Sequence, residues 1–79
     1  MEILLFGITR DIVGSRKIEV SPDESPQTVA ELREWLYQKY EDLRALKSLA
    51  VAVGNEYAED STVLGPDMEI ALIPPVSGG

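Results

Sequence analysis

The chain offers few side chains for chemistry. Its 79 residues include no cysteine and no histidine. That removes thiol nucleophiles, side-chain thioesters, iron–sulfur clusters and thiolate or imidazole metal ligands from consideration. The segment composed like a reactive element is instead the final run "IALIPPVSGG" at 70–79. A fraying terminus ordinarily carries polar and charged residues, which solvate well. Here an apolar strand, a double proline and two glycines follow one another. Gly78 and Gly79 have no Cβ, so an extended backbone there can pass a narrow channel and approach a bulky reactant closely. Pro74 and Pro75 fix φ and lack an N–H, which ends a sheet and holds the following Val76 and Ser77 in an extended direction. The group such a tail would present is the α-carboxylate of Gly79. Nothing else from 70 onward is charged, so a channel of apolar and backbone groups would accept the segment without burying an unpaired side-chain charge.

Positioning that segment falls to a single small domain. With 44% hydrophobic residues, the chain can build one modest core and no second one. That core must supply the stability alone, because no disulfide or Cys/His metal site can help. A zero cysteine count fits a reducing compartment. No apolar run approaches the roughly 18–20 residues of a membrane span, and "MEILLFG" lacks the basic region of a signal peptide, which together predict a soluble, cytoplasmic protein. Seven basic residues against fourteen acidic ones leave a net charge of −7. This argues against nucleic acid and anionic membranes as partners. The last basic residue is Lys47, and Glu56, Glu59, Asp60, Asp67 and Glu69 all follow it. An acidic body carrying a neutral tail would be steered toward a basic cleft.

The hydrophobic pattern predicts the elements. Residues 1–7 suit a strand with Ile3 and Leu5 on one face and Glu2, Leu4 and Phe6 on the other. Residues 17–20 alternate strictly behind a Gly14-Ser15 turn, which predicts a hairpin. After a loop at 21–26, Thr28 and Glu31 form a capping box. The helix it starts carries Val29, Leu32, Leu36 and Tyr40 as one apolar stripe, Glu31, Arg33, Glu34 and Lys39 in solvent, and Trp35 at the stripe's edge. "LAVAV" at 49–53 reads as a strand, Gly54-Asn55 as a turn, Thr62-Val63 as a short strand and 68–73 as the last strand.

This order predicts an α+β roll of the β-grasp type: a mixed four- to five-stranded sheet packed on one main helix, with the first and last strands parallel at its centre. Residues 1–73 form the domain and 74–79 the extended tail. In the last strand Met68, Ile70 and Leu72 would face the helix, and Glu69, Ala71 and Ile73 the other side. Leu4, Phe6 and Ile73 would then be neighbours on a face the helix does not cover, which implies a protein partner.

"PPVSGG" after an apolar strand, "LLFGITRDIVG" near the start and the β-grasp order together resemble the small subunits of molybdopterin synthase, a family of ubiquitin-like β-grasp sulfur carriers. The likeness runs over essentially the whole chain. A Gly-Gly end is shared with ubiquitin-like modifiers and the thiamin-pathway sulfur carrier, whereas Pro74-Pro75-Val76-Ser77 narrows the resemblance to the molybdopterin branch. The resemblance implies that a ubiquitin-activating-like adenylyltransferase uses ATP to adenylate Gly79. The end is then converted to a thiocarboxylate and inserted into the large synthase subunit, which carries the catalysis. There it gives sulfur to a cyclic pterin precursor in molybdenum cofactor biosynthesis. It implies no bound cofactor, and contact residues for the large subunit at Phe6, Tyr57 and Ile73. Three alternatives stay open: a thiamin-pathway sulfur carrier, a protein modifier attached through Gly79, and a non-covalent β-grasp binding module.

Overall fold

The computed structural model describes residues 1–46, 48–65 and 67–74. Five strands are β1 (Glu2–Leu5), β2 (Lys17–Glu19), β3 (Ala50–Val53), β4 (Glu56–Tyr57) and β5 (Ile70–Ile73). Two α-helices are α1 (Ile8–Val13) and α2 (Val29–Lys39), and 3-10 turns lie at Pro22–Glu24 and Glu41–Ala45. The strands form one mixed sheet in the order β2-β1-β5-β3-β4. β1 and β5 run parallel, with Ile3 beside Ile70 and Leu5 beside Leu72. The other pairs are antiparallel. This is the β-grasp arrangement that the sequence predicts.

Period-2 alternation decides which face is covered. Ile3, Leu5, Ile70 and Leu72 are buried to 1% exposure or less, as are Val29, Leu32 and Leu36 of α2. Ile18, Val20, Leu43, Leu49, Val51 and Leu64 complete the core between helix and sheet. α2 begins where the capping box places it, with the Thr28 hydroxyl accepting the Glu31 N–H at 3.2 Å. The β3–β4 turn has positive φ at both Gly54 (57°) and Asn55 (74°), the requirement of a two-residue turn that follows the strand twist.

Several expectations need correction. The β1–β2 pair is real, but α1 joins it rather than a tight turn, and Gly14 ends that helix in the left-handed region at φ 86°. The sequence "ITRDIV" is rich in β-branched residues and too short for a helical stripe, so periodicity does not reveal it. The expected strand at Thr62-Val63 is a single bridge from Val63 to Thr28, and the fifth strand is β4. α2 ends at Lys39, with Tyr40 as its cap. Tyr40 still packs half-buried against the core. β5 starts only at Ile70, so Met68 lies outside the ladder and is 40% exposed rather than facing the helix. Arg33 is half-buried instead of solvated. Its Nε donates to Asp60 at 3.0 Å and its guanidinium to the Leu49 carbonyl, tying α2 to the chain on either side of β3 and β4. Among the described residues no helix is long and apolar enough to cross a membrane.

Candidate docking face at the root of the tail

The sheet face opposite α2 is built by register. Leu4 of β1 lies beside Ala71 of β5, Ala71 beside Ala52 of β3, and Ala52 beside Tyr57 of β4. One transverse row therefore crosses four strands with larger side chains at its ends and alanines in its middle. The alanines keep the sheet low there and produce an open trough of about 330 Å³. Phe6 and Ile73 close it at the end where β5 leaves the sheet, and Asn55 and Glu69 line its sides. Phe6 is 42% exposed and Tyr57 74%, so both stand proud of the trough. An apolar concavity rimmed by exposed aromatics is the usual form of a protein-docking site.

The expected contact residues Phe6, Tyr57 and Ile73 therefore meet on one face. Ala52 and Ala71 also belong to the site, and parity in "LAVAV" and "IALI" places both on the uncovered side. Of the expected tail, Pro74 is described and half-buried, whereas Pro75, Val76, Ser77, Gly78 and Gly79 lie outside the described residues. Pro74 packs on the turn after β1. Gly7 there has φ 57° and ψ −136°, and a Cβ on it would come within 2.9 Å of Pro74 Cγ. Gly7 thus satisfies two demands at once, a backbone region that L side chains avoid and a close approach by the proline ring. Tail root and docking face share this corner.

Charge divides the rest of the face. Beyond Leu4 and Glu69 a second open concavity is lined by Glu2, Glu19, Asp67 and Met68. Lys17 Nζ stands 3.2 Å from Glu2, across the β1–β2 pair, and 3.8 Å from Glu19 on its own strand. The hydrogen bond from Lys17 chiefly, with the Glu19 side chain and the charge of Lys17 adding, holds the exposed Glu2 carboxyl below the usual carboxylate range. An apolar trough thus borders an acidic margin.

A mixed sheet gripping one helix, with its far face open beside the end of the last strand, defines the ubiquitin-like β-grasp class. The chain belongs to the ThiS family, which it matches over residues 3–79. It is similar to the molybdopterin synthase sulfur carrier subunit of Caenorhabditis briggsae, with 39% identity over 83 residues that cover 100% of this chain and 96% of the relative. Among solved structures it is similar to SAMP1 from Haloferax volcanii, at 28% identity and a TM-score of 0.79, covering 99% of this chain and 97% of that one. It is also similar to a chain in the complex of subunits 1 and 2 of the molybdopterin-converting factor from Helicobacter pylori 26695, at 25% identity and a TM-score of 0.68, covering 99% and 96%.

Proposed function

We propose that this chain is the sulfur carrier subunit of a molybdopterin synthase. The observation that carries the reading is the apolar trough of Leu4, Ala52, Ala71 and Tyr57, bounded by Phe6 and Ile73 beside the root of the tail. A partner seated on that face receives the tail directly. The full-length likeness to named sulfur carrier subunits and to one chain of a two-subunit complex supports the same assignment.

In this reading Gly79 is the reacting residue, and its side-chain-free neighbour Gly78 lets it reach two different sites. An adenylyltransferase joins the Gly79 carboxylate to AMP from ATP and releases pyrophosphate, which gives a carboxylate a good leaving group. Sulfide-level sulfur attacks the acyl carbon, and AMP leaves as the C–S bond forms, giving a thiocarboxylate. Its sulfur is the nucleophile that the cysteine-free chain otherwise lacks. Pro74, Pro75, Val76 and Ser77 carry the end into the large subunit, whose own residues perform the transfer to the pterin precursor. Phe6, Tyr57 and Ile73 hold the two subunits together in the cytoplasm. The carrier itself binds no cofactor.

A second reading, a protein modifier, is favoured by the likeness to SAMP1. One experiment separates them: the chain is purified from cells with its large subunit and weighed intact. A carrier shows the mass of an oxygen-to-sulfur exchange at the C-terminus and co-purifies with the large subunit, whereas a modifier accumulates as isopeptide-linked products.

A further inference from the structure

Phe6 is held from two directions before any partner arrives. On the backbone side its N–H donates to Thr9 Oγ1 at 3.0 Å, and the Thr9 hydroxyl donates in turn to the Phe6 carbonyl. The same carbonyl accepts the Thr9 N–H at 3.2 Å. Thr9 is the one fully buried polar side chain among the described residues. Its hydroxyl would cost stability in that place without partners, and both of the partners it has belong to Phe6. On the ring side the Arg10 guanidinium lies 5.7 Å from the Phe6 centroid. Arg10 Nε donates to the Leu5 carbonyl at 2.9 Å, which fixes the guanidinium over the strand end. In this acidic protein Arg10 makes no ion pair with a carboxylate among the described residues.

Binding normally costs rotamer freedom at each side chain that a partner immobilises. An exposed aromatic whose backbone and ring are both already fixed avoids that cost. We infer that Thr9 and Arg10 are positioning residues for docking, acting through Phe6: Thr9 sets the backbone from which the ring projects, and Arg10 holds the ring in the orientation the partner meets. The inference rests on the reading that this face receives the large subunit.

A double-mutant cycle with the full chain and the purified large subunit tests it. Thr9→Val keeps the shape and removes the hydroxyl, while Arg10→Gln, at an exposed site, removes the cation with little risk to folding. Each weakens binding by about three- to tenfold, the scale of one side chain's ordering. Thr9→Ser and Arg10→Lys restore most of the affinity. In a Phe6→Ala background, Thr9→Val and Arg10→Gln each change affinity by less than about twofold. Equal losses in both backgrounds would show that the two residues act elsewhere and would overturn the inference. Side-chain couplings of Phe6 in the free chain give a partner-independent readout. One rotamer in the parent chain and averaging in Arg10→Gln are expected, and averaging in the parent chain overturns the inference even if docking stands. If Phe6→Ala binds like the parent chain, the docking reading falls and the inference with it.

Discussion

Phe6→Ala separates the energetics of docking from those of folding. Of the roughly 200 Å² that a phenylalanine can bury, the 42% exposed in the free domain leaves about 80 Å² for a partner to cover. At about 25 cal/mol per Å², this is about 2 kcal/mol of association energy, or about a 30-fold change in Kd. The share of the ring already covered in the free domain contributes to folding as well, by up to about 3 kcal/mol on the same area count. Phe6 lies outside the buried core cluster, so its truncation opens no core cavity, and the ring's contact with Arg10 is of a kind that contributes ~0.5–1 kcal/mol at exposed sites. Calorimetric titration against the large subunit, paired with thermal melts of the free domain, measures both quantities. The expected result is a Kd weakened by about 30-fold at a temperature where the melts show the variant still folded. A Kd within about threefold of the parent chain's, with the variant folded, would refute the docking assignment.

Other consequences follow from the same packing and charge. Leu36→Ala removes a fully buried side chain between α2 and the sheet, so urea titration should show a loss of about 2–5 kcal/mol, and a loss below about 1 kcal/mol would contradict the core described here. Glu2 has a lowered pKa in the folded state, so the stability it contributes is present above its unfolded pKa and lost as pH falls through the folded one. Thermal midpoints of the parent and Glu2→Gln chains should therefore converge on the acid side of the carboxylate range, and an unchanged gap there would exclude the Lys17 hydrogen bond as the cause. Ser77→Asp places a charge in an otherwise uncharged tail, and should abolish binding to the large subunit where Ser77→Ala is tolerated, because an unpaired charge leaves water in an enclosing channel. Equal binding by the two variants would mean that the tail is not enclosed.

Strand parity carried most of the fold and much of the site. Ile3, Leu5, Ile70 and Leu72 alternate cleanly because β1 and β5 are covered on one face only, and the same alternation put Leu4, Phe6 and Ile73 together on the other. The capping box located α2 because its hydrogen bond is local. Elements defined by long-range contacts were harder to see. α1 has too few residues for a periodic stripe, and it depends on Gly14 as a left-handed cap. Arg33 reads from helical spacing as a solvent residue, and only the fold brings Asp60 and the Leu49 carbonyl beside it. Met68 shares the sequence parity of Ile70, but the ladder begins only at Ile70, and Met68 lines the acidic concavity instead. Ala52 and Ala71 matter by being small, and smallness is conspicuous only when both are known to share one row. Thr9 reads as an ordinary polar residue in "ITRDIV", and nothing local says that its hydroxyl turns back onto Phe6.

Gly79, proposed here as the sulfur-carrying residue, should be essential for transfer and dispensable for folding. Deleting Gly79 and assaying the purified chain, with its large subunit, activating enzyme, ATP and sulfur donor, tests this most directly. The account predicts that conversion of the pterin precursor is abolished, that no thiocarboxylate mass appears, and that Tm and affinity for the large subunit stay close to those of the parent chain. A deletion variant that still converts the precursor would contradict it.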